Sequence, residues 1–145
     1  MKAIIKKFNE LTTTELYEIL KLRAEIFVVE QDCPYQDLDD IDYDSLHIFY
    51  EKDKKVVAYL IIFKRKNDPD AVQIGRVVTL THGSGLGTKL MEEGIKAIRD
   101  TSSARQAYLE AQTYCIGFYE KFGFKVISDE FILDGIPHVK MQLKI

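Results

Sequence analysis

The sequence predicts one mixed α/β domain, and three observations carry that expectation. Short β-rich runs alternate along the chain with segments of helical spacing. An apolar run, Val72 to Leu80, passes through Gly83, Gly85 and Gly87 straight into an amphipathic pattern. The 145 residues, 46% hydrophobic and 30% charged, suit about one domain (1–145) with a single substantial core.

Taken in order, Ile4, Ile5 and Phe8 suggest a first strand. Thr12 and Glu15 stand at capping-box spacing, and Leu16, Ile19, Leu20, Arg23 and Phe27 then recur every three or four residues, predicting a helix from about Thr13 to Phe27. His47 to Tyr50 and Val56 to Phe63 read as a hairpin around EKDKK, and Val72 to Leu80 as the next strand. Leu90, Met91, Ile95 and Ile98 form one face of a second helix. Ala107 to Ala111 is a short strand, and Thr113 to Phe122 a helix closed by Gly123. Lys125 to Ile127, Glu130 to Leu133 and Val139 to Ile145 complete the strands.

A net charge of −3 gives no global attraction to nucleic acid. The first residues carry too short an apolar stretch for a signal peptide, and no long apolar run predicts a membrane span. Cys33 and Cys115 lie far apart without Cys-x-x-Cys spacing, so neither a metal site nor a redox pair is expected. These features predict a cytoplasmic protein with reduced thiols.

The glycine step fits neither familiar nucleotide motif. Gly83-x-Gly85-x-Gly87 is one residue short of the dinucleotide pattern, and Thr88-Lys89 reverses the order a P-loop needs. Its physics remains informative. A strand, glycines and a helix start leave unpaired N–H groups where the helix dipole favours an anion, and glycine admits the close approach of a phosphate. The alternative is an ordinary tight turn. About thirty residues on stands FYEKFGF, Phe118 to Phe124, in which Tyr119 adds a proton-donating phenol to an otherwise packing-type cluster.

Together, strand–HGSGLG–helix followed by strand–helix–FYEKFGF resembles the GNAT superfamily of N-acetyltransferases. The segments VVEQDCPYQDLDDIDYDSLH, GRVV and DGIPHVKM are similar to its ElaA-type branch, and the likeness spans essentially the whole chain. The resemblance implies the GNAT (acyl-CoA N-acyltransferase) fold, a mixed twisted β-sheet with helices on both faces. It implies acetyl-CoA as cofactor, with coenzyme A as product and no metal. The pyrophosphate would fall on Gly83, Ser84, Gly85, Leu86, Gly87 and Thr88. Val77, Val78 and Thr79 would pair their backbone with pantetheine as an added strand, while Gln112 and Cys115 replace the family's frequent Asn and Ala. His82 stands where Arg or Gln is usual; one imidazole donor in place of five guanidinium donors predicts binding that leans on backbone amides and weakens at high pH.

Tyr119 matches the family's general acid, and backbone N–H groups of the strand ending at Leu80 are the expected oxyanion donors. For the general base His47 is the first choice, with Glu30, Glu110 and ordered water as alternatives. Between Asp32 and Asp44 stand six aspartates and no basic residue. Asp40, Asp42, Asp44 and Glu51 match calcium-loop positions, but Ser45 replaces the required glycine and a strand follows, so calcium is not expected. With Glu30, the carboxylates of Asp39 and Asp42 are expected to attract a cationic amine, with His138 lining the acceptor side. The expected acceptor is a small-molecule amine or a peptide N-terminus, with no nucleic acid and no membrane partner. A homodimer stays open, as do a non-catalytic acetyl-CoA sensor and a partner-binding module.

Overall fold

A computed structural model describes residues 1–81 and 83–145. The described strands are β1 (Ile4–Lys7), β2 (Leu46–Lys52), β3 (Lys55–Lys64), β4 (Ala71–Thr79), β5 (Gln106–Gln112), β6 (Lys125–Val126), β7 (Phe131–Leu133) and β8 (Ile136–Lys144). The α-helices are α1 (Thr13–Arg23), α2 (Leu86–Thr101) and α3 (Ile116–Glu120). One sheet runs in the order β1-β2-β3-β4-β5-β8-β6, with β7 also on β8. Every pairing is antiparallel except β4 with β5, which is parallel. The sheet is therefore mixed, as the sequence predicts.

Local chemistry explains the element boundaries. The capping box at the start of α1 is formed: the Glu15 N–H donates to Thr12 Oγ1 at 3.0 Å and the Thr12 N–H to Glu15 Oε1 at 2.8 Å. The β2–β3 hairpin turns on Asp53 and Lys54, with φ of 53° and 65°, the two positive values a tight hairpin turn demands. The α winding of the first helix stops at Arg23, four residues short of expectation, and Ala24–Glu30 continue as a π-helix. That wider winding brings consecutive Ile26, Phe27 and Val28 to the wall of one cleft. The expected helix over Thr113 to Phe122 is likewise shorter: Thr113–Cys115 form a 3-10 turn before α3. Its end tightens through Phe122 N–H to Tyr119 O and Gly123 N–H to Glu120 O, bonds of 3.1 and 3.0 Å.

The helices cover both faces. Leu90, Met91, Ile95 and Ile98 of α2 pack with Ile48, Leu60, Ile74, Leu109, Phe124 and Met141. Across the sheet Ile19 and Leu22 of α1 pack with Phe49, Tyr59, Ile61 and Val78. Gly94 is where α2 crosses the sheet most closely: a Cβ there would stand 3.1 Å from Leu60 Cδ2.

Candidate active site

The only parallel pairing among the described residues creates the cleft. β4 and β5 register at Ala71↔Gln106, Val72↔Ala107 and Gln73↔Tyr108, then part. Beyond Gln73, β4 stays bonded to β3 and β5 to β8, so the strands splay and the edge of β4 facing β5 has no strand partner. A bulge sharpens the splay. The register with β3 jumps from Gly75↔Ile61 to Val78↔Tyr59, leaving Arg76 and Val77 opposite Leu60. Arg76 takes φ 54°, left-handed and uncommon for a side-chain-bearing residue. The Leu80 N–H donates to Val57 O at 2.8 Å, so it is not an available oxyanion donor. Strand alternation instead turns the N–H of Thr79, and two residues back that of Val77, toward the open edge.

The cleft measures about 570 Å³ and is lined by Val77, Val78, Thr79, Gly83, Ser84, Gly85, Gly87, Thr88, Gln112, Cys115, Tyr119 and His138 of the expected set. At its upper end Gly85 caps α2 at φ 80° without a side-chain cap bond, and Gly83 takes φ 76°. The Lys89 N–H bonds to Gly85 O, whereas the preceding first-turn amides lack intrahelical acceptors. Leu86 follows the cap and packs on the α2-side core, its N–H 3.4 Å from Ser84 Oγ. His82 lies outside the described residues.

Tyr119 closes the opposite wall. Its ring packs edge-on to Phe118 and Phe124, with centroids 5.2 and 6.3 Å away, and the residue is 9% exposed. Its hydroxyl has no partner among the described residues, yet no fully buried polar side-chain atom there is unpaired, so the hydroxyl meets the cleft. Burial, then the neighbouring Cys115 and Tyr114, raises its pKa well above the ordinary 10, keeping it a proton donor. Burial also pushes the Cys115 thiol up. Gln112 is not idle: its amide exchanges hydrogen bonds with Gln31 at 3.3 and 3.4 Å, joining β5 to the end of the π-helix. His138 is buried, its Nδ1 2.7 Å from Ile136 O and its ring against Phe131.

Three expectations on the acceptor side need correction. His47 does not face the cleft. It is fully buried, with Nε2 2.9 Å from Asp42 O and Nδ1 2.6 Å from the Tyr59 hydroxyl. A carbonyl only accepts, so Nε2–H donates to it and Nδ1 accepts from Tyr59. Burial lowers the His47 pKa, and both nitrogens are spent. Asp42 is buried too, 2.6 Å from Nη1 of the fully buried Arg23. Asp39 is exposed and bonded to Arg76 Nη2 at 3.0 Å. The acidic segment lacks bases in sequence, but the fold supplies them: Asp37 bridges Arg23 Nε and Arg76 Nε, each at 2.8 Å. Glu30 is exposed at the end of the π-helix, just before Gln31 at the rim.

Glu110, one of the alternative bases, is the carboxylate that β5 exposes to the cleft, and Tyr108 donates to its Oε2 at 3.0 Å. The sequence reading missed Gln31, Asp37, Arg76 and Tyr108. For Arg23 the signal was visible, a lone cation in the apolar stripe of the first helix.

A splayed parallel pair, an amide-rich helix start at one end and a buried phenol on the opposite wall define an acyl-CoA-dependent N-acyltransferase. The chain belongs to the GNAT acetyltransferase family: residues 14–145 match the Acetyltransferase (GNAT) domain. It is 38% identical to protein ElaA of Escherichia coli over 141 residues, covering 94% of this chain and 92% of that one. The crystal structure of Escherichia coli ElaA superposes with a TM-score of 0.90 at 36% identity, covering 97% of each chain. An acyl-CoA N-acyltransferase from Pseudomonas aeruginosa gives 0.89 at 36%, covering 98% of this chain and 99% of that one. Among the described residues no helix is long and apolar enough to cross a membrane, and no cluster of metal-ligating side chains occurs.

Proposed function

We propose that the protein transfers the acetyl group of acetyl-CoA to a primary amine, a small cationic amine being the acceptor class to test first, in a ternary complex. The observation that carries this reading is the open edge of β4, which leads from the start of α2 down to a cleft holding both Glu110 and Tyr119. In this reading the amides from Gly83 to Thr88 hold the pyrophosphate. Val77, Val78 and Thr79 pair with pantetheine, and the N–H of Val77 or Thr79 steadies the developing oxyanion. Glu110 takes the proton of the attacking amine as the C–N bond forms. Tyr119 gives its proton to the sulfur as the C–S bond breaks.

Two expected outcomes test the halves of this reading separately. Glu110→Gln lowers kcat/KM at neutral pH by about 10²-fold, since a positioned base contributes that much. The loss narrows as pH rises, because more of the amine is then already neutral. Thiol release followed with a panel of cationic and neutral amines reads this; equal rates for the variant and the parent protein reject the base. Gly85→Val forces a β-branched residue toward φ 80°, a conformation costing about 1–2 kcal/mol even for unbranched residues. Beyond its own chain neighbours, no described atom lies within 4 Å of the added Cβ, so the chain can fold while its loop amides shift. Coenzyme A affinity by calorimetry falls roughly tenfold, as 1.4 kcal/mol corresponds to one decade.

A further inference from the structure

Behind Glu110 lies a side-chain arrangement that the transfer reaction leaves unexplained. The Tyr108 side chain, 2% exposed, lies on the same face of β5 as Glu110 and donates its hydroxyl to Oε2 at 3.0 Å. The Arg65 guanidinium sits 3.6 Å from the centre of the Tyr108 ring. Arg65 is itself held from the turn before β4, its Nη1 3.4 Å from Asp68 Oδ2. A cation on the ring face draws electron density from the phenol and strengthens it as a donor. Glu110 Oε1 has no hydrogen-bond partner among the described residues, and Glu110 lines the cleft. One carboxylate oxygen is clamped and the other is left to accept.

From this we infer that Tyr108, held under Arg65, is a positioning residue that fixes the Glu110 carboxylate with Oε1 toward the acceptor. The inference rests on Glu110 being the base. In the reaction the amine proton passes to Oε1, while the Tyr108 proton stays on the phenol. Burial, then the Glu110 charge and its hydrogen bond, push the Tyr108 pKa up to about 12, so the phenol remains a donor at working pH. Other charges face this carboxylate. Lys140 of β8 stands opposite it in register and His138 two pairs along, opposite Gln112, with Arg76 on β4 and Asp134 beside β7 lining the same cleft. None of them is in hydrogen-bond or ion-pair contact with Glu110. Tyr108 is the one described side chain that touches the carboxylate through a hydrogen bond.

The test compares the parent protein with Tyr108→Phe, which keeps the ring beneath Arg65, and with Arg65→Leu, which removes the cation and keeps the hydroxyl. Isotope-labelled glutamate carboxyl NMR, with the Glu110 resonance assigned by Glu110→Gln, reads the hydrogen bond at neutral pH without needing an acceptor. Losing that bond in Tyr108→Phe shifts the Glu110 carboxyl resonance, and Arg65→Leu shifts it less. With acetyl-CoA and the best amine of the panel, kcat of Tyr108→Phe falls about tenfold through the misplaced carboxylate, while coenzyme A affinity holds. A kcat unchanged in Tyr108→Phe overturns the inference and leaves the base assignment standing. Full turnover in Glu110→Gln rejects the base itself, and the inference with it.

Discussion

Replacing Tyr119 by phenylalanine is expected to lower kcat by about 10²–10⁴-fold, the range a positioned proton donor contributes. Acetyl-CoA affinity should stay within a factor of about two, since the change removes one hydroxyl and no packing surface. The ring contacts with Phe118 and Phe124 survive, and the hydroxyl has no described protein partner to orphan. Thermal stability is therefore expected to hold, which separates this variant from one that merely unfolds. The buried phenol also makes a pH statement. Because desolvation raises its pKa above the ordinary 10, Tyr119 stays protonated through the alkaline range, and the parent enzyme should lose no turnover to its ionisation below about pH 10. Stopped-flow thiol release, with calorimetric binding alongside, measures both effects. A Tyr119→Phe enzyme with undiminished kcat assigns the thiolate proton to another group.

How far the sequence could be read depends on the range of the interaction involved. The capping box at Thr12, the hairpin at Asp53-Lys54 and the strand-to-helix step at Gly83 to Gly87 are local rules, and each is realised as local rules predict. The splay of β4 from β5 is not local. Parallel pairing joins residues 35 positions apart, as Ala71 with Gln106, and nothing in either strand marks where three register pairs give way to divergence. The bulge has only a weak cue, the strand glycine Gly75 where the register with β3 breaks; the residue that takes the left-handed conformation is its neighbour Arg76, a type that does not announce it. The π-helix is concealed because Phe27 falls at the α spacing from Arg23, although the winding changes between them.

The site shows the same division. His47 sits on a strand buried on both faces, so alternation alone could not say which face it shares. It shares the face of Phe49, beneath α1, with Tyr59 and the Asp42 carbonyl as its partners. The acidic segment reads as a field of free carboxylates until tertiary structure brings Arg23 and Arg76 against it. An arginine within an apolar helical stripe is costly unless paired, so Arg23 itself called for carboxylate partners.

That pairing supplies the largest expected effect on stability. Asp42→Ala removes one of two carboxylates from a guanidinium with 1% side-chain exposure. Although burial works against the charge, the hydrogen bond to Asp42 and the charge of Asp37 raise the Arg23 pKa, so the side chain cannot escape by losing its proton. Breaking a buried pair from one side costs about 3–5 kcal/mol; Asp37 still holds Nε at 2.8 Å, which places the loss at the lower end. For a chain of this size that corresponds to a fall in Tm of roughly 10 °C. The His47 bond is to the Asp42 backbone carbonyl and is untouched by the substitution, so the loss belongs to the ion pair. The double variant Arg23→Met with Asp42→Leu removes both charges from an apolar surrounding, and such replacements are often neutral or stabilising. It should recover much of the lost Tm. A carboxylate whose work is to neutralise Arg23 gives a further signature: below the melting range, the acceptor KM of Asp42→Ala stays near that of the parent enzyme. A large rise in KM for cationic but not neutral amines, at full stability, would return Asp42 to the acceptor site.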